Sequence, residues 1–131
     1  MILSLVERGW QAARECSLAA QRDGVRITHV IKGRVDPAVC GLHPSAPGVR
    51  MVGVARWWFW PWIWLHAVAW RGPGRPCAVL VDNERAQRRV RAWRLPEAMP
   101  VWLVRMGPHG YELWAESGRV DQAPWRACGS R

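Results

Sequence analysis

Lysine is nearly missing from this chain. Lysine and arginine together number 19, and Lys32 is the only lysine. Acidic residues number only 10, which leaves a net charge of +9. That balance excludes an acidic, solvating class of protein and favours anionic partners such as phosphate, nucleic acid or anionic lipid. Arginine-heavy, lysine-poor usage beside many Trp, Ala, Gly and Pro is also what a GC-rich genome produces, so part of the basicity is compositional. The four cysteines (Cys16, Cys40, Cys77, Cys128) contain no C-x-x-C pair. Their wide spacing points to reduced, mostly structural thiols in a cytosolic setting. Met1 to Val6 is too short for the apolar core of a signal peptide and is followed by Glu7-Arg8, so export is not expected. No apolar run reaches the ~20 residues that span a bilayer.

Several signatures are also absent. There is no G-x-G-x-x-G after the first strand and no G-x-x-x-x-G-K-[ST], which weighs against dinucleotide and P-loop sites. No G-x-S-x-G elbow is present. Arg56 occupies the region where a phospho-receiver needs an aspartate. The four histidines (His29, His43, His66, His109) share no ligand spacing with each other or with cysteine, so no metal and no cofactor is indicated.

What the chain has in excess is tryptophan, 11 in all against one Phe and one Tyr. Six of them fall between Trp57 and Trp70, a run that only His66 interrupts. Around that run, strand and helix patterns alternate. Ile2 to Val6 is apolar. Gly9 to Asp23 carries Trp10, Ala13, Cys16 or Ser17, and Ala20 at helical spacing, with Gly24 placed to end the helix. Val25 to Ile31 is rich in β-branched residues and reads as a strand. Asp36-Pro37 opens a short helix to about Gly41, and 43–48 is a loop. Val49 to Val54 and Cys77 to Val81 are strands. Asp82-Asn83-Glu84 caps a helix to about Arg94, and Val101 to Val104 is a fifth strand. Tyr111 to Trp114 with Arg119-Val120 reads as a small hairpin, and 122–131 has no periodicity.

This alternation predicts an α/β fold: a three-layer Rossmann-like domain over 1–106 with a five-stranded, mainly parallel sheet. Strand order is either 3-2-1-4-5 or 2-1-3-4-5. Residues 107–131 are expected to form a C-terminal hairpin or irregular tail.

In such sheets ligands bind beyond the carboxyl ends of the strands. Those ends carry Glu7, Arg8 and Gly9; Lys32; Arg56; Asp82, Asn83 and Glu84; and Arg105. Loops are polar in any case, and Asp82 or Asn83 also suits the N-cap of the following helix. The sharper reading is a ligand cleft with basic walls (Lys32, Arg56, Arg105) and an acidic corner (Glu7, Asp82, Glu84). The helix N-termini after the first and fourth strands would add N–H donors for an anion. Glu7, Asp82 and His109 are the candidates for catalytic work, although each has a structural explanation. The arginines of the fourth-strand helix (Arg85, Arg88, Arg89, Arg91, Arg94) could bind nucleic acid or anionic lipid, but they read more readily as a solvated outer face, and no motif points to nucleic acid.

The Trp run cannot bury itself completely. A buried Trp removes roughly 150–250 Å² from water. Three left outside would expose an area at or above the ~300–600 Å² of the largest patches on soluble monomers. Trp57, Trp58, Trp60, Trp62 and Trp64 are therefore expected to contact a membrane surface, a second subunit or a further domain. With Pro61 inside it, the run fits a helix starting near Pro61 better than a strand.

The first 30 residues resemble a known family. The turn Glu7-Arg8-Gly9, a helix closing on Leu18-Ala19 and Gly24, and the strand Val25-Arg26-Ile27-Thr28-His29-Val30 resemble the opening of the amino-terminal domain of GT-B glycosyltransferases. The usual Gly-Gly turn is replaced by Glu7-Arg8 before a lone Gly9. The resemblance implies an acceptor-side domain for a sugar- or phosphate-bearing ligand, cytoplasmic or membrane-peripheral. A second domain or subunit would hold the donor nucleotide. The alternatives are a non-enzymatic module docking on membrane or protein, and a small nucleotide-binding α/β domain.

Overall fold

The computed structural model describes residues 1–35, 48–67, 75–95, 99–121 and 125. In chain order the elements are β1 (Ile2–Val6), α1 (Gln11–Arg22), β2 (Ile27–Lys32), β3 (Val49–Val54), α2 (Phe59–Ala67), β4 (Ala78–Val81), α3 (Glu84–Ala92), β5 (Val101–Gly107), β6 (Gly110–Ala115) and β7 (Gly118–Val120). The short helix expected from Asp36, the end of the Trp run at Trp70 and most of the C-terminal tail lie outside the described residues.

The fold is α/β, built on one mixed sheet of order β3-β2-β1-β4-β5-β6-β7. The first five strands are parallel and take the 3-2-1-4-5 order. The expected five-stranded sheet is corrected to a seven-stranded mixed one. β5 does not stop at Val104 but continues to Gly107, where Pro108-His109 turns the chain tightly into β6. A two-residue turn forces its strands to pair, so β6 and β7 extend the sheet antiparallel instead of leaving it. Gln87 fastens this extension by donating to the carbonyls of Val101 and Trp114. Trp125 is fully buried, stacked near Tyr111, and donates to Asp23 Oδ2 at 3.2 Å.

Alternation along the strands sends two sets of side chains to two faces. Leu3, Leu5, Val30, Val79 and Val81 pack under α2 and α3 with Phe59, Ile63, Ala86 and Val90. Ile2, Ile27, Ala78, Leu80, Trp102 and Val104 pack under α1 with Cys16 and Ala20. The stripe anticipated for α1 is buried, through Ala13, Cys16, Ser17 and Ala20. Gly24, at φ +72°, closes that helix, and the N–H of Val25 returns to the Ala20 carbonyl. Cys16 is a free, buried thiol, whereas Cys77 is disulfide-bonded, contrary to the expectation of reduced cysteines.

α2 begins at Phe59, two residues before Pro61, which therefore sits in the first turn where proline costs no hydrogen bond. Phe59 and Ile63, one turn apart, are its fully buried anchors. Burying such side chains stabilises by roughly 1.5–3 kcal/mol each. Among the described residues no helix is long and apolar enough to cross a membrane.

Candidate functional site

β1 and β4 are neighbours, so the residues that follow them meet at the carboxyl edge of the sheet. There Asp82 Oδ2 accepts three successive backbone N–H groups, from Glu7 at 2.9 Å, Arg8 at 2.6 Å and Gly9 at 2.9 Å. The turn ahead of α1 is thus an anion nest whose anion is the protein's own carboxylate. The donors expected there for a ligand are already engaged. Asp82 is held in place by Asn83, whose Nδ2 donates to Asp82 Oδ1 at 2.9 Å. Asn83 is the N-cap of α3, its Oδ1 accepting from the N–H of Ala86 at 2.8 Å.

Glu7 is the second hub. Its Oε1 accepts from Asn83 Nδ2 at 2.9 Å, and its Oε2 accepts from Trp60 Nε1 at 2.6 Å and Lys32 Nζ at 3.1 Å. Burial pushes this carboxyl up, but the hydrogen bonds from Trp60, Asn83 and Lys32 and the ammonium charge of Lys32 outweigh it. The net effect holds Glu7 below the ordinary carboxylate range, as an anion.

In front of Glu7 lies a cleft of about 300 Å³ lined by Glu7, Arg8, Lys32, Arg56, Trp60, Arg85, Ala86 and Arg89. Lys32 comes from the end of β2 and Arg56 from the turn after β3. Two glycines let these strand ends close up. A Cβ on Gly53 would meet the Gly33 carbonyl oxygen at 2.7 Å, and Gly33 itself has φ +110° and donates to the Val54 carbonyl. Arg85 and Arg89 are four residues apart on α3 and share one face. The Arg89 guanidinium lies 4.6 Å from the centroid of the Trp60 ring, a cation–π contact.

The structure therefore gathers Glu7, Arg8, Lys32 and Arg56 around one cleft, with Asp82, Asn83 and the Gly9 N–H bonded behind it. It does not bring Arg105 there. That guanidinium stacks 4.2 Å from the Trp114 ring and, with Glu84, lines a separate depression beside β5 and β6. His109 is exposed in the β5–β6 turn. Of the tryptophans, Trp57, Trp58 and Trp64 are exposed. Trp60 turns inward to Glu7, and Trp62 is half-buried and stacked on His66 at 4.0 Å. Sequence reasoning missed Arg85 and Arg89, which it placed on an outer face. The signal was their i, i+4 spacing directly behind the Asn83 cap.

Four arginines and one lysine give the cleft a basic wall around the Glu7 carboxylate. Among the described residues its lining holds no hydroxyl, thiol or imidazole, and its one carboxylate accepts from three donors, two on Oε2 and one on Oε1. No family model, no curated protein and no solved structure matches this chain.

Proposed function

We propose that this domain holds a phosphate-bearing ligand, a phosphorylated sugar or a nucleotide, in the cleft at the carboxyl edge of its sheet. The observation that carries this is charge: no carboxylate among the described residues forms an ion pair with Arg8, Arg56, Arg85 or Arg89. Arginine forks match phosphate oxygens in pairs. The cavity sits at the lower end of small-molecule pockets, ~300–1,000 Å³, enough for one ring and its phosphate. Glu7, kept ionised by its donors, would orient a sugar hydroxyl.

Following the resemblance of the first 30 residues, the domain is the acceptor-side half of a GT-B-like glycosyltransferase. Chemistry would need a second domain to hold the donor nucleotide. A nucleotide with its diphosphate on the β1–α1 turn is disfavoured, since Asp82 fills that turn.

Calorimetric titration with sugar phosphates, nucleotide sugars and nucleotides tests the reading. Arg56→Ala and Arg89→Ala should each weaken binding on the order of tenfold, a loss of about 1.4 kcal/mol. Arg105→Ala should leave it unchanged. Equal losses in all three variants, or unchanged binding in the first two, would sink the assignment.

A further inference from the structure

Beside the cleft, and sharing Trp60 and Arg89 with it, lies an apolar shelf formed by Trp58, Pro61, Trp64, Leu65 and Trp93. Its outer side chains are open to solvent, Trp64 58% and Leu65 53% exposed, and Trp57, 81% exposed, flanks it with its ring 5.7 Å from that of Trp58. At roughly 150–250 Å² per tryptophan, this leaves several hundred Å² of apolar surface, within the ~300–600 Å² that marks an interaction face.

We infer that this shelf docks the domain onto an anionic lipid surface. Two observations choose lipid over protein. The first is area: a stable protein interface buries ~800 Å² on each partner, more than the described residues of the shelf offer. The second is charge. No acidic residue among the described residues lines the shelf, while Arg56 precedes Trp57 in the chain and Arg89 packs over Trp60. A two-fold contact between copies sets a patch against itself, so Arg56 and Arg89 would face their own counterparts. A bilayer interface suits both features. Indole rings and leucine settle at the headgroup boundary, and each arginine near an anionic leaflet adds attraction. Seated this way, α2 lies along the membrane and the cleft opens next to the headgroups. Arg56 and Arg89 serve both the cleft and the docking face, whereas Trp57 and Trp64 lie outside the cleft lining and so test the docking alone.

The test is flotation of the full chain with vesicles of phosphatidylcholine alone and of phosphatidylcholine mixed with phosphatidylglycerol, at low and high salt. The expected result is binding to the mixed vesicles that weakens with salt. Substituting Trp57→Ala and Trp64→Ala together should reduce it at least about tenfold while leaving the urea midpoint in place, since both side chains are exposed. Absence of binding to the mixed vesicles overturns the inference, as does full binding by the double variant. Equal, salt-independent binding to neutral vesicles overturns its electrostatic part. A concentration-dependent dimer in sedimentation that the double variant abolishes would assign the shelf to a second copy instead.

Discussion

Trp60 Nε1 donates to Glu7 Oε2 at 2.6 Å, joining the tryptophan-rich helix to the end of the central strand. The most apolar segment of the chain therefore contributes a polar atom to the site. Replacing Trp60 by Phe keeps much of the packing and removes this donor. Urea denaturation should show a loss of about 1–2 kcal/mol. Glu7→Gln should cost a similar amount. The double variant should cost clearly less than the sum, because the two side chains act through one bond.

Asp82 is the anion of the β1–α1 turn, so its removal should create a vacancy that other anions can fill. Asp82→Ala should destabilise by about 1–3 kcal/mol, with water replacing part of the loss at the more exposed donors. Inorganic phosphate or sulfate should then raise the melting temperature of the variant more than that of the parent. An equal response in both would show that the turn gains no site.

His29 is fully buried on β2, its ring 4.7 Å from Trp10, and neither ring nitrogen has a hydrogen-bond partner among the described residues. Burial pushes its pKa down from 6.5 to about 4. Below pH 6.5 the unfolded chain takes up a proton that the folded chain refuses, so stability falls with pH from about 6.5 and levels off near 4. The loss should be on the order of 3 kcal/mol. His29→Leu should flatten that window, leaving the loss of ionised carboxylates such as Glu7 at lower pH. Chemical denaturation at a series of pH values measures both curves.

Cys16 lies on the buried face of α1 with no exposed surface, and burial pushes its thiol up to about 12. It should resist alkylation by iodoacetamide at pH 8 in the folded protein and react at once in urea, as mass spectrometry would show.

Much of the architecture was legible because strands with both faces buried write their burial as continuous apolar runs. Ile2 to Val6 and Ala78 to Val81 are buried throughout, and both stood out. β3 spans the residues expected of it. The sheet extension was not legible. Tyr111 to Ala115 is mostly half-buried, and periodicity does not say whether a hairpin joins the sheet or leaves it. The strand-end rule found Glu7, Lys32 and Arg56 but overreached at Arg105, because β5 lies two strands from β1 and its guanidinium is captured by Trp114. Nor could spacing reveal that Cys77 is disulfide-bonded.

Asn83 uses each of its amide hydrogens and its oxygen on a different element: Glu7 beyond β1, Asp82 beyond β4, and the first turn of α3. The arginines of α3 are thereby indexed to the central strands by one side chain. On the proposed function, a cleft keyed in this manner should keep its shape when a ligand enters. It should discriminate by the spacing of phosphate and hydroxyl on the ligand, and Asn83→Asp, which sets a third carboxylate beside two others, should blur that ruler before it unfolds the domain.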